Sequence, residues 1–206
     1  MPEYVFSDTH IVVVSKPAGL LSVPGRGEDK QDCLWRRVQQ HFPTARIVHR
    51  LDQATSGLLI LALDATSHRN LSQQFQQRIP RKRYQAIISG SPEQESGRVE
   101  LALRCDWDNR PLQMVDPVQG KPALTEWECL EREADRSRVL LYPITGRSHQ
   151  LRVHMQAMGH PIIGDRFYAP EPQRSASSRL LLHAEHLALK HPDNGTWLEF
   201  ETPCPF

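Results

Sequence analysis

The segment His49-Arg50-Leu51-Asp52-Gln53-Ala54-Thr55-Ser56-Gly57 runs directly into the longest apolar run of the chain, Leu58–Leu63. That short apolar run predicts a buried β-strand. The polar segment before it predicts a tight loop. Because the end of a buried strand can hold a carboxylate rigidly against a cleft, Asp52 is a candidate functional residue. The alternative is an ordinary surface ion pair between Arg50 and Asp52, which would contribute little to stability.

On both sides of this segment, hydrophobic patterns and helix-capping residues predict further strands and helices. Strands are predicted at Ile11–Val14, Leu58–Leu63, Tyr84–Ile88, Leu124–Leu130, Arg138–Tyr142, Leu180–Leu189 and Trp197–Glu201. Helices are predicted at Asp32–Phe42, from Ala65 to about Arg78 with Asp64 as N-cap and Pro80 as terminator, and at Ser148–Met158. Strands outnumber helices, and several are too close for βαβ crossovers. The sequence therefore predicts an α+β fold, a single catalytic domain over residues 1–206 with a mixed, mostly antiparallel central β-sheet flanked by helices and loops.

Composition narrows the class of protein. The chain has 206 residues, of which 39% are hydrophobic, and no stretch approaches the roughly 20 apolar residues that span a bilayer. The N-terminal residues lack the basic region and apolar core of a signal peptide, so a cytoplasmic protein is expected. The four cysteines are far apart and form no CxxC pair, which argues against a zinc site and a disulfide framework.

Charge and motifs exclude several kinds of site. The net charge is only +1, although Arg78, Arg81, Lys82 and Arg83 predict a local basic patch. The alternative for that patch is a solvated loop entering a strand. The sequence contains no GxSxG, GxxxxGK[ST], GxGxxG or HExxH motif. We therefore expect neither a nucleotide cofactor nor a metal.

A second polar segment is Ile144-Thr145-Gly146-Arg147-Ser148-His149-Gln150-Leu151-Arg152. Its glycine turn is predicted to place Arg147 at a helix N-terminus, where a guanidinium and backbone N–H groups can bind an anion. The anion would be a phosphate or the carboxylate of Asp52. The alternative is a polar helix start with no ligand.

These segments, taken in order, resemble the RluA family of pseudouridine synthases. The resemblance covers about residues 11–202. It includes Lys16-Pro17-Ala18-Gly19-Leu20, His49-Arg50-Leu51-Asp52 with Thr55-Ser56-Gly57, Gly146–Arg152, His160-Pro161-Ile162 with Gly164-Asp165, and Leu181-Leu182-His183-Ala184. The segment Cys105–Pro111 is similar to the dual-specificity branch of that family. Because the first strand that resembles the family begins near residue 10, we expect no N-terminal S4-type RNA-binding domain of the kind that some members carry.

The resemblance implies an isomerase that converts uridine to pseudouridine in RNA without a cofactor. It implies substrates in stem-loops of the tRNA anticodon arm and of 23S large-subunit rRNA. It also implies that Asp52 is the catalytic carboxylate, that Arg147 pairs with it, and that Tyr84 stacks on the uracil. Leu182 would line the pocket, and Arg50 would fill the space that the flipped base leaves. We expect a monomer with no membrane association, since no amphipathic stretch is left over for a dimer interface.

Three alternatives stay open at this point. The same chemistry could be restricted to tRNA. A non-catalytic RNA-binding module would explain the basic patch but not a carboxylate flanked by arginine. A hydrolase that uses Asp52 with a second carboxylate, as glycosidases do, lacks an obvious partner in the sequence.

Overall fold

The computed structural model describes residues 2–206. Its strands are β1 Glu3–Ser7, β2 Ile11–Lys16, β3 Arg46–Ile47, β4 Ser56–Ala62, β5 Arg81–Ser89, β6 Ser96–Glu100, β7 Leu103–Cys105, β8 Gln113–Val115, β9 Leu124–Arg132, β10 Arg136–Pro143, β11 Leu182–Lys190 and β12 Trp197–Glu201. Its α-helices are α1 Leu34–Gln39, α2 Ala65–Gln76 and α3 Gln150–Ala157, and a 3-10 turn covers Glu28–Lys30. The chain falls into two units. The first contains the described residues up to Lys82 with His183–Pro205, and the second contains Arg83–Leu182 with Phe206.

The sheet of the first unit is centred on β4. This strand is antiparallel to β2 and parallel to the start of β11, while β1 extends the sheet beyond β2 and β12 pairs with β11. Every residue of β4 is buried, which explains why its sequence is a continuous apolar run rather than an alternating one. Alternate residues of the sheet, among them Val13, Ile60 and Leu187, form a core together with Leu71 of α2.

The sheet of the second unit is wholly antiparallel, in the order β5-β10-β9-β6. The predicted strands Leu124–Leu130 and Arg138–Tyr142 lie in β9 and β10, which form an antiparallel hairpin with Val139 opposite Cys129 and Leu141 opposite Trp127. A separate two-stranded ribbon joins β7 and β8. The α+β class with a mixed, mostly antiparallel sheet is therefore confirmed, whereas the single-domain assignment stays a prediction.

The bounds of the first two helices differ in part from the predictions. Asp64 caps α2 as predicted, since its Oδ1 accepts the Ser67 amide at 2.8 Å. The helix ends at Gln76, two residues short of the predicted end at about Arg78, and Arg78 takes a left-handed conformation with φ 60°. The helix α1 is shorter than the predicted Asp32–Phe42, since it starts after Cys33 and stops at Gln39.

Within the part of the chain that the structure describes, a membrane-spanning helix, a metal-binding cluster and a disulfide are all absent. None of the helices within residues 2–206 is long and apolar enough to cross a bilayer. Within the same residues, no group of three His, Cys, Asp or Glu side chains is arranged to hold a metal ion. None of the four cysteines forms a disulfide there.

Candidate active site

The loop that carries Asp52 lies between β3 and β4 and is fixed by a buried hydroxyl. The Ser22 Oγ donates to the Leu51 carbonyl at 2.7 Å and accepts the Leu51 amide at 3.1 Å. Just beyond, the Thr55 amide donates to the Asp52 carbonyl at 3.1 Å. The backbone is thus held on both sides of Asp52, whose side chain is half-buried.

A buried lysine ties this loop to the preceding turn. The Lys16 side chain is fully buried, and its Nζ donates to the carbonyls of Pro17, Leu20 and Gln53 at 2.9, 2.8 and 3.1 Å. The Gly19 amide also donates to the Gln53 carbonyl at 2.8 Å. A buried ammonium is tolerated only when it is hydrogen-bonded in this way. In the sequence, Lys16 is noted only as part of a family motif, and its role in positioning the Asp52 loop is not predicted.

The glycine that ends the loop is required by a close approach of β11. Gly57 has φ 114°, and a Cβ added to it would lie 2.2 Å from the Ala184 carbonyl oxygen. In the same register, Ser56 pairs with His183, and the Ser56 Oγ lies 2.8 Å from the His183 Nδ1. The Thr55-Ser56-Gly57 and His183-Ala184 motifs are therefore two sides of one strand junction.

His49, which precedes Asp52 in the same loop, accepts a hydrogen bond from the backbone of β4. Its Nε2 accepts the Ile60 amide at 3.1 Å, and its ring stacks on Phe75 with centroids 4.5 Å apart. Burial, helped by the nearby Lys82 ammonium, lowers the pKa of His49 from 6.5 to about 3. The imidazole is therefore neutral at physiological pH, as an acceptor must be.

This shift predicts a specific loss of stability in acid. The unfolded chain binds a proton near pH 6.5 and the folded chain only near pH 3. The stability from His49 is therefore fully present above about pH 6.5 and should fall by roughly 2–3 kcal/mol by about pH 4.5. Urea unfolding of wild type and His49→Gln at both pH values tests this, because the glutamine oxygen still accepts but does not titrate. An equal pH dependence in the two proteins would contradict the prediction.

The five sequence-predicted site residues are divided between the two units. Arg50 is exposed and shares the loop of Asp52 in the first unit. Tyr84, Arg147 and Leu182 belong to the second unit. The expected pairing of Arg147 with Asp52 stays a prediction.

Two of these residues lie on strands. Tyr84 is half-buried on β5, directly opposite Leu141 of β10. Leu182 is the first residue of β11 and is 2% exposed. It follows Leu181, whose carbonyl accepts the Ile87 amide at 3.1 Å. Leu182 is thus part of the buried core, and its predicted role as an apolar wall of the pocket stays a prediction.

The Arg147 loop is organised by the side chain of Gln150. The Gln150 Oε1 accepts the Thr145 hydroxyl at 2.6 Å and the Arg147 amide at 3.0 Å. Its Nε2 donates to the Leu124 carbonyl at 2.9 Å. The Arg147 Nε donates to the Pro122 carbonyl at 3.1 Å.

The predicted helix start at Ser148 is wrong. The helix α3 begins at Gln150, and His149 before it has a left-handed φ of 52°. Arg147 therefore lies in the preceding loop, and its amide is used by Gln150 rather than left for an anion. The predicted anion site therefore lacks the Arg147 amide, and the Gln150 amide donates to the Arg147 carbonyl at 3.2 Å.

A buried ion pair supports the same helix. Arg152 and Asp165 form a two-pronged pair, with Nε–Oδ2 at 2.7 Å and Nη2–Oδ1 at 2.6 Å, and their side chains are 4% and 0% exposed. Asp165 Oδ1 also accepts the Phe167 amide at 2.9 Å. Both residues lie in segments that the sequence marks, yet only the fold shows that they pair.

Comparison with known proteins decides the family. The model of the RNA pseudouridylate synthase family matches residues 10–157. The chain belongs to this family. It is an RNA pseudouridine synthase.

Curated relatives of this pseudouridine synthase cover almost the whole chain. The dual-specificity RNA pseudouridine synthase RluA of Escherichia coli K12 is 53% identical over 203 residues, which is 98% of this chain and 93% of the relative. The RluA of Pasteurella multocida is 49% identical over 205 residues, with 99% and 94% covered. The resemblance to RluA drawn from the sequence is thereby confirmed.

Solved structures agree with the fold. The human RNA pseudouridylate synthase domain-containing protein 1 is 31% identical and superimposes with a TM-score of 0.84, over 100% of this chain and 84% of its own. The human domain-containing protein 4 is 25% identical, with a TM-score of 0.78 and coverage of 98% and 88%. The pseudouridine synthase fold is therefore confirmed.

Proposed function

We propose that this enzyme isomerises specific uridines in two RNA classes, the anticodon stem-loop of tRNA and 23S large-subunit rRNA, in the cytoplasm and as a monomer. The curated relatives at about half identity carry the name dual-specificity RNA pseudouridine synthase, which supports two classes over one. Loops of folded RNA already hold partly unstacked bases, which suits recognition by a protein.

The observation that carries the proposal is the fixed backbone around Asp52. Ser22 holds Leu51 from one side, and Lys16 holds Gln53 from the other. A carboxylate presented this rigidly can act at one position of a bound nucleotide, either as a nucleophile or as an anion beside developing positive charge. The Asp52 carboxylate serves the first step of the reaction.

The proposed reaction uses only protein side chains and the RNA substrate, without a cofactor. The C–N glycosidic bond of uridine breaks, the uracil turns, and C5 bonds to C1′. The C5 proton then leaves, and N1, which has lost its bond to C1′, takes up a proton. No net oxidation or hydrolysis occurs. Tyr84 stacks on the uracil and helps to remove the C5 proton, Arg147 pairs with Asp52, and Leu182 forms the apolar wall of the pocket.

Tritium release tests the substrate classes. Uridine labelled at C5 is placed at the target position of an unmodified tRNA and of a large-subunit rRNA fragment. We expect wild type to release tritium from both, since loss of the C5 hydrogen accompanies every turnover. Release from tRNA alone would restrict the specificity, and release from neither would overturn the substrate proposal.

Arg50 is predicted to fill the space that the flipped base vacates. Because removing a base from its stack costs a few kcal/mol, Arg50→Ala should lower kcat/KM by about 10–100-fold. Arg50 is exposed, so the melting temperature should stay near that of wild type. Arg46→Ala, which removes another exposed arginine of the same unit, is the matched control. An unfolded Arg50→Ala protein, or equal losses in the two variants, would refute this role.

A further inference from the structure

The basic segment noted in the sequence lies beside an exposed tryptophan in the first unit. Arg78 and Arg81 are exposed and Lys82 is half-buried. Trp197 at the start of β12 is 47% exposed, which is unusual for so large an apolar side chain. We call Arg78, Arg81, Lys82, Lys190 and Trp197 together the cationic face.

Hydrogen bonds and strand pairing hold this face together. The Gln74 side chain, at the end of α2, binds both the amide and the carbonyl of Lys190, at 3.0 and 2.8 Å. Lys190 pairs directly with Trp197, so their side chains lie on the same side of the sheet. The Arg81 guanidinium lies over the Trp197 ring, 5.1 Å from its centroid.

Arg78 occupies a backbone position that normally belongs to glycine. The Arg78 amide donates to the Phe75 carbonyl at 3.2 Å and the Ile79 amide to the Gln74 carbonyl at 3.0 Å, which is the bonding pattern of a Schellman C-cap. The left-handed residue of that motif is usually glycine, because a Cβ is strained there. At φ 60° the arginine therefore costs stability that glycine would not. Such strain points to a use for the guanidinium.

The positive charges of this face are not balanced by neighbouring carboxylates. Among residues 2–206, Arg78, Arg81, Lys82 and Lys190 take part in none of the ion pairs. Burial and the Arg78 guanidinium lower the pKa of Lys82 to about 8, so an anion bound here would favour the charged ammonium. Glu199 and Glu201 follow Trp197 on the same side of β12, and the four cations outnumber these two carboxylates.

We propose that the cationic face is an RNA-binding surface. Arg78 and Lys82 bind backbone phosphates. An unpaired base stacks on the exposed part of the Trp197 ring, beside the Arg81 guanidinium. Cations beside an exposed aromatic ring are how proteins hold single-stranded RNA. The inference rests on an RNA substrate and names a contact outside the five proposed site residues.

The test compares Arg78→Gly with wild type in two measurements. Because glycine relieves the strained backbone, the melting temperature should rise or stay level. The Kd for unmodified tRNA, measured by fluorescence anisotropy, should increase by about 5–10-fold. The slope of log Kd against log salt concentration should fall by about one, the value for one lost phosphate contact. Arg69→Ala, which removes an exposed cation of α2 itself, is the control and should change binding less. Unchanged Kd and salt dependence in Arg78→Gly would overturn the phosphate contact.

A second pair of measurements isolates the stacked base. Trp197→Ala should weaken binding to a stem-loop with unpaired flanking nucleotides, and should leave binding to the blunt stem-loop as in wild type. Equal losses on both RNAs would overturn the stacking. If Arg78→Gly fails to fold, Arg78→Asn replaces it, since asparagine also tolerates the left-handed conformation. Tritium release by wild type is measured separately on the same RNAs. Absence of release would show that the substrate class is wrong, whereas unchanged RNA binding in the variants would show that the binding surface is wrong.

Discussion

Asp52→Asn is expected to lower tritium release from C5-labelled RNA by at least about a thousandfold. The amide has nearly the shape of the carboxylate but no negative charge, so it can neither attack the substrate nor stabilise positive charge beside it. The backbone clamp formed by Ser22 and Lys16 does not involve the Asp52 side-chain oxygens, and the loop should keep its shape.

Single-turnover release and RNA affinity should be measured together. We expect Asp52→Asn to bind the RNA with a Kd within a few-fold of wild type, because the loss lies in the chemical step. Asp108→Asn, which neutralises an exposed aspartate elsewhere in the chain, should keep full activity. Residual activity above about one per cent in a folded Asp52→Asn protein would show that the carboxylate is not the group that drives the reaction.

The sequence predicts those parts of the fold whose signals are local. The apolar run at Leu58–Leu63 predicts β4, and Asp64 predicts the start of α2. Both signals are local, because hydrophobic periodicity and helix capping depend on residues only a few positions apart. The ends of α2 and α3 are set by Arg78 and His149 in left-handed conformations. Nothing local distinguishes these two residues from ordinary helical ones, so the predicted bounds were wrong there.

The same limit applies to the site. The order of the family motifs along the chain identifies Asp52 and Arg147 as candidate site residues. The residues that hold their loops act over long separations: Ser22 on Leu51, and Gln150 on Leu124 and Thr125. A single sequence gives no signal for such pairs, because each side chain taken alone reads as an ordinary polar residue.

Arg152 and Asp165 are the pair of this kind with the largest expected effect on stability. Asp165→Asn should lower the free energy of unfolding by about 3–5 kcal/mol, because it leaves a buried guanidinium without its counter-charge. The asparagine oxygen can still accept the Phe167 amide, so the loss reports mainly the broken ion pair. Urea unfolding measures it. Arg136→Ala, which breaks the exposed pair with Glu133, should cost no more than about 1 kcal/mol.

The double variant Arg152→Met, Asp165→Leu separates two explanations for that loss. If the cost of Asp165→Asn is the unpaired buried charge, removing both charges should restore most of the stability, because apolar side chains of similar size need no counter-ion. If the pair instead fixes α3 through its geometry, the double variant should stay as unstable as the single one. Since Gln150 of the same helix holds the Arg147 loop, the second outcome should also reduce tritium release in protein that is still folded. The first outcome should leave it near the wild-type rate.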